Sequence, residues 1–80
     1  MAKRRVRFFF SNDLVTEPIV YLIGKQFEVV TNIRGGEVNQ EIGWLYLELS
    51  GEDDELERAI QFAIERGVRV DPVEGDVIEG

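Results

Sequence analysis

The chain has 80 residues and contains neither histidine nor cysteine. These two residue types supply the commonest general base, the commonest nucleophile pairs and most transition-metal ligands. Its two serines, Ser11 and Ser50, have no base beside them and stand where turns favour small polar residues. The composition therefore predicts no catalytic residues, no metal ligands and no cofactor, and we interpret the chain as a non-enzyme.

Two short motifs have structural explanations. The acidic run 52–55 lacks the spaced oxygen ligands and the central glycine of a calcium loop, whereas acidic residues favour a helix N-terminus. The pair Gly35-Gly36 has neither of the glycine-rich phosphate motifs around it, and no helix follows it. We therefore predict that the pair forms a bend at the end of a strand.

The strongest candidates for ligand contact precede the glycine pair. The amide of Asn32 offers both a donor and an acceptor, which suits the ammonium and carboxylate of an amino acid, or it satisfies turn backbone. Arg34 could pair with a carboxylate through two parallel hydrogen bonds, or it could protect an exposed sheet edge from aggregation. From the residues alone, both alternatives stay open.

Apolar alternation and capping signals predict the elements that must position these residues. Predicted strands cover Arg5–Phe10, Phe27–Ile33, Ile42–Leu49 and the stretch that begins at Val68, which Pro72 ends or places at an edge. A first helix is predicted after a Thr16 cap, with Ile19, Leu22, Ile23 and Phe27 as its apolar stripe. Gly24 within it indicates a close helix–sheet contact or an early helix end.

A second helix is predicted from Asp53 to the Arg66-Gly67 pair, with Gly67 as its C′ residue. Its expected buried stripe is formed by Leu56, Ile60, Ala63 and Ile64.

The order βαββαβ predicts a single ferredoxin-like α+β domain over residues 1–80. Four antiparallel strands should form one sheet with two helices on one face, the first strand inside and the second at an edge. The other face should be open and should carry Phe9, Val30, Trp44 and Tyr46. An apolar patch of this kind predicts a partner, so we expect a homodimer through this face or through the edge at Asn32 and Arg34.

The charge balance bears on partners. Sixteen acidic and nine basic residues give a net charge of −7, which repels nucleic acid. The N-terminus has no long apolar segment, so we expect a cytoplasmic chain without membrane insertion. A single-strand nucleic-acid binder that stacks bases on Phe9, Trp44 and Tyr46 is the alternative function. An acylphosphatase-like enzyme would need an arginine in the loop that here reads Ser11-Asn12-Asp13.

A resemblance covers nearly the whole chain. It is carried by residues 27–38, by Ile42-Gly43-Trp44-Leu45 and Leu49-Ser50-Gly51, and by the closing stretch from Ala59-Ile60 to Gly67-Val68-Arg69-Val70. In this order the segments resemble the NIL domain. That family is ferredoxin-like and occurs at the C-terminus of methionine-importer ATP-binding subunits, where it senses the transported amino acid, and also fused to iron–sulfur ferredoxin modules. The resemblance implies binding or regulation, with ligand contacts at Asn32, Ile33, Arg34, Gly36 and Val38.

Two departures from the family pattern concern the ligand. Arg34 stands where the Asn-Ile-Leu signature has leucine, and the connection between Val38 and Gly43 is shorter than in the transporter domains. The resemblance therefore does not carry methionine over as the ligand. Because this sequence has no cysteine and no ATP-binding motif, we expect it to act in trans on a transporter or redox protein partner.

Overall fold

The computed structural model describes residues 1–11, 18–39 and 43–73. Its elements follow the predicted order. They are the strand β1 (Ala2–Phe10), the helix α1 (Ile19–Gln26), the strands β2 (Val29–Val38) and β3 (Gly43–Gly51), the helix α2 (Asp53–Glu65) and the strand β4 (Arg69–Pro72). The predicted Thr16 cap lies outside the described residues, and α1 begins directly after Pro18, whose carbonyl accepts the N–H of Leu22 at 2.9 Å.

The four strands form one antiparallel sheet in the order β2-β3-β1-β4. As predicted, β1 lies inside the sheet, β2 lies at one edge, and β2 and β3 are neighbours. The first strand starts three residues earlier than predicted because Ala2 still pairs with Gly51 of β3. The short β4 occupies the other edge, where Pro72, which has no N–H to donate, is its last residue. The fold is ferredoxin-like.

The core lies between the sheet and the two helices. Alternate residues of β1 and β3 meet the apolar stripes of α1 and α2, which is why their side chains are buried. The large side chains below 2% exposure are Phe8, Ile19, Ile23, Leu47, Leu49 and Leu56. Each of these contributes roughly 1.5–3 kcal/mol by its removal from water.

The structure decides between the two alternatives for Gly24 and corrects the predicted buried stripe of α2. Gly24 is exposed, and a Cβ built on it would meet no heavy atom within 4 Å, so it marks no close contact with the sheet. The early helix end is the better explanation, since α1 stops at Gln26. In α2, Leu56, Ala59 and Ala63 are buried, but Ile64 is 46% exposed. A helix turns by about 100° per residue, which carries Ile64 away from the face that Ala63 presents to the sheet.

The sequence predicted that the glycine pair ends β2, and this prediction is wrong. The strand continues to Val38, and its register against β3 shifts between Ile33 and Gly35. Arg34 is therefore the extra residue of a β-bulge. Gly36 has φ of 153°, and a Cβ on it would lie 2.5 Å from the Trp44 carbonyl oxygen. Only glycine fits at this close approach of β2 to β3.

Both ends of α2 follow the prediction. Asp53, Asp54 and Glu55 form its acidic first turn, and Gly67 adopts a positive φ of 97° directly after the C-cap residue Arg66. Val68 then returns the chain to the core, and its N–H donates to the Ala63 carbonyl at 3.0 Å.

Candidate functional site

The sheet face opposite the helices carries charged, amide and aromatic side chains from all four strands. We call it the open face. Paired residues of neighbouring strands point to the same side, so the register identifies its members. They are Lys3, Arg5, Arg7, Phe9, Val30, Asn32, Glu37, Trp44, Tyr46, Glu48, Ser50, Arg69 and Asp71, together with the bulged Arg34 and Gly35.

A buried carboxylate lies between two arginines on this face. Glu48 is only 8% exposed and is the one buried polar residue among those the structure describes. Its Oε2 accepts from Arg5 Nε at 3.2 Å, and its Oε1 accepts from Arg34 Nη1 at 3.3 Å. The carboxylate thus ties the inner strand β1 to the edge strand β2 across β3. It also fixes the direction of both guanidinium groups.

The aromatic side chains of the open face are partly covered by arginines. The guanidinium carbon of Arg7 lies 5.9 Å from the ring centre of Trp44 and 5.8 Å from that of Tyr46. Arg69 lies 4.7 Å from the ring centre of Phe9. These are cation–π distances. All three aromatic side chains are half-buried without any second chain.

The outer strand β4 holds one of these arginines in place. Arg69 Nη2 donates to Asp71 Oδ2 at 2.8 Å, and Arg69 Nε donates to Asp71 Oδ1 at 3.3 Å. These hydrogen bonds, and then the negative charge of Asp71, raise the pKa of the Arg69 guanidinium. The ion pair with Asp71 thus favours the charged form of the guanidinium that lies over Phe9.

The structure brings together only some of the residues predicted to contact a ligand. Asn32 lies opposite Glu48, and Arg34 bonds to Glu48, so both face the open side near the β2 edge. In contrast, Ile33 and Gly36 pair with Leu47 and Leu45, whose side chains point to the helix side. Val38 shares that side. The bulge causes this division, because straight alternation would have put Gly36 and Val38 with Asn32.

The residues predicted for an interface are also divided. Phe9 and Trp44 are direct cross-strand partners. Tyr46 lies on the same face, and the Arg7 guanidinium is near both its ring and that of Trp44. Val30 is opposite Ser50 at the far end of β3 and is 61% exposed. The aromatic residues therefore form one cluster, from which Val30 is separate.

Sequence reasoning did not select Glu48, Arg69 or Asp71. A usable signal existed for Glu48, since it continues the alternation of Trp44 and Tyr46 along β3. A carboxylate at that position, between strands that carry Arg5 and Arg34, predicts a cross-strand ion pair. No comparable signal marks Arg69 and Asp71, because the short β4 gives too few residues to fix its register.

The described ranges contain neither a membrane-spanning helix nor a cluster of metal-binding side chains. No helix in residues 1–11, 18–39 and 43–73 is long and apolar enough to cross a membrane. Within the same ranges, no three acidic side chains are arranged to hold a metal ion. The first turn of α2 has another role, since Glu55 Oε1 accepts the backbone N–H of Glu28 at 2.8 Å.

The strand order and the two helices define a small ferredoxin-like α+β domain. The family model of the NIL domain matches residues 4–72. The chain belongs to the NIL domain family.

Similar proteins agree with this assignment. "Methionine import ATP-binding protein MetN 1" of Enterococcus faecalis is 32% identical over 68 residues, which cover 80% of this chain and 19% of that protein. The protein of the same name from Listeria monocytogenes is 33% identical over 73 residues, covering 86% of this chain and 22% of that protein. The chain thus spans about one fifth of the length of these relatives.

A solved structure is similar over the whole domain. It is the C-terminal domain of an ABC transporter ATP-binding protein from Enterococcus faecalis, with a TM-score of 0.77 and 25% identity. The similarity covers 91% of this chain and 86% of that one. The chain therefore corresponds to the C-terminal domain of such proteins and not to their ATPase domain.

Proposed function

We propose that this chain is a non-catalytic regulatory domain that binds a small amino-acid-like ligand in the cytoplasm. Its membership of the NIL family supports regulation, and relatives named for methionine import support a ligand of the amino-acid class. The observation that carries the ligand site is the bulge at Arg34, where its guanidinium and the Asn32 amide lie on the same side of β2.

The two side chains complement a free amino acid. The side chain of Arg34 is 45% exposed and uses Nη1 on Glu48, so its other N–H groups are available to an α-carboxylate. The amide oxygen of Asn32 accepts from an α-ammonium group. Ile33 and Val38 are 57% and 54% exposed but lie on the helix side of the same edge, so they stay outside the proposed Asn32–Arg34 site. Gly36 has a packing role against Trp44 and Leu45.

A thermal-shift screen with free amino acids, and with their N-acetyl and amide derivatives, tests this proposal. A ligand at a hundredfold excess over its Kd stabilises the native state by about 2.7 kcal/mol. We expect free amino acids to raise the unfolding temperature and the blocked derivatives to lose the effect. Arg34→Leu, which removes the guanidinium proposed to bind the α-carboxylate, should abolish the shift, whereas Lys3→Leu removes the same charge elsewhere on the face and should retain it. A panel without any shift would refute the ligand.

We further propose that the chain forms a homodimer through the β2 edge. This strand has ten residues and pairs on one side only, and Val30, Ile33 and Val38 on it are exposed. The open face, which was the other predicted surface, carries more cations than carboxylates, and two copies of it would repel each other. Val30→Lys should shift sedimentation towards the monomer, while Tyr21→Lys on α1 should not. A monomer at every concentration would exclude the dimer.

The protein partner of this regulatory domain is proposed to be an ATP-binding subunit of an importer. Support comes from the relatives, in which the matched segment is one fifth of a longer ATP-binding protein. Co-sedimentation with such a subunit, with and without amino acids, tests the assignment.

A further inference from the structure

The charge of the molecule is divided between its two sides. The open face carries five cationic side chains, Lys3, Arg5, Arg7, Arg34 and Arg69, against the three carboxylates Glu37, Glu48 and Asp71. On the other side of the sheet, α2 carries five acidic residues and a single arginine. The net charge of −7 therefore conceals a face that is locally positive.

Four of the five cations of the open face contact an acidic or aromatic side chain of the same face. Arg5 and Arg34 are anchored on Glu48, and Arg69 is anchored on Asp71 and Phe9. Arg7 lies over Trp44 and Tyr46 and forms no ion pair with any described residue. A guanidinium group has five N–H donors, and ring contacts use none of them in a strong hydrogen bond. Arg7 is thus an exposed cation near two aromatic rings and opposite Asp71 of β4, and its donors are available.

We propose that the open face is the docking surface for an acidic, extended segment of a partner protein. A carboxylate of that segment pairs with Arg7, and its apolar residues pack on the exposed parts of Trp44 and Phe9. The charge of the face is complementary to such a segment. Arg34 on β2 and Arg69 on β4 are three strand spacings apart, or roughly 14 Å, which four to five extended residues span. A short segment is therefore long enough to reach all the arginines.

Two other occupants fit the face less well. Base stacking needs accessible ring faces, but Arg7 and Arg69 lie over the rings of Trp44, Tyr46 and Phe9. A nucleic acid, with a charge on every phosphate, is also repelled by the net charge of −7 more than a short peptide is. A second open face is cationic as well, so a face-to-face pair opposes like charges.

Fluorescence anisotropy on the full chain tests the proposal without any added amino acid, so the result is independent of the ligand proposed above. The probes are a labelled peptide in which glutamate and leucine alternate, its lysine–leucine counterpart, and an oligothymidylate of equal charge. We expect saturable binding of the glutamate peptide alone, weakened by salt. Arg7→Gln should reduce the affinity about tenfold, as for one lost charged hydrogen bond.

The matched control is Lys25→Gln, which removes one positive charge from an exposed position on α1. It should leave the affinity unchanged, and circular dichroism should show that both variants are folded. If both variants lost the same affinity for the glutamate peptide, binding would depend only on net charge, and the proposal would be overturned. Tighter binding of the oligothymidylate would assign the face to nucleic acid instead. Loss of peptide binding on self-association would assign it to a second copy.

Discussion

Glu28, the residue directly before β2, donates its backbone N–H to the side chain of Glu55 in the first turn of α2, over 2.8 Å. The same carboxylate pairs with Arg58 one turn further along the helix. One side chain thus connects the second helix to the segment from which the edge strand departs. This contact therefore adds to the pairing with β3 in fixing where β2 begins.

Removing this contact should loosen the edge strand. Glu55→Ala leaves the Glu28 N–H without its acceptor and should lower the free energy of unfolding by about 1 kcal/mol, as measured by urea denaturation. Glu65→Ala is the control, because that carboxylate at the other end of α2 contacts only Gln61, at 3.4 Å among the described residues. It should change stability by less than about 0.5 kcal/mol. Equal losses in the two variants would show that the contact with Glu28 contributes nothing specific to stability.

The neighbours Phe8 and Phe9 offer a test of the two faces of β1. Phe8 is fully buried on the helix side, and Phe9 is half-buried beneath Arg69. Phe8→Ala should cost about 3–5 kcal/mol, since it leaves a cavity in a small core. Phe9→Ala should cost less than half as much and should keep the circular dichroism of the native fold. A larger loss at Phe9 would show that the open face is part of the core.

The glycine pair gives a second matched comparison. Gly36→Ala would force a Cβ to 2.5 Å from the Trp44 carbonyl oxygen at a φ of 153°, and should destabilise the protein by about 1–3 kcal/mol. Gly35→Ala meets no atom within 4 Å and should be nearly neutral. Thermal unfolding of both variants checks this. Similar unfolding temperatures for the two would contradict the close approach of β2 and β3.

The arginines on Glu48 should be coupled. Glu48 is 8% exposed and pairs with both arginines. Arg5→Ala or Arg34→Ala alone leaves it one arginine partner, so each should lower the free energy of unfolding by no more than about 1 kcal/mol. The double variant leaves that carboxylate unpaired, and its cost should exceed the sum by about 1 kcal/mol or more. A double-mutant cycle in urea measures this coupling. Simple additivity would show that Glu48 is hydrated when it loses both partners.

The sequence predicts the element order, the sheet topology and the second helix because these follow from alternation and capping, which are local signals. Phe9, Trp44 and Tyr46 were assigned to one face correctly for the same reason. The residues predicted to contact a ligand lie on two faces of β2 in the structure. The bulge responsible depends on how β2 fits β3, and it leaves no signal in the alternation of Ile33 and Arg34. Gly36 is required by the close approach of β2 to the Trp44 carbonyl oxygen of β3. Since a glycine pair is also typical of a bend, the sequence predicted a bend there.

The bulge at Arg34 also limits how far the sheet can grow. It divides β2 into two half-strands whose side-chain alternation is out of phase, so a regular strand added at this edge can stay in step with only one half. At the opposite edge, the part of the chain that the structure describes offers the four residues of β4, which end at a proline. Strand-by-strand addition therefore terminates after a single short pairing, and this protects the small, acidic domain from forming open-ended fibres.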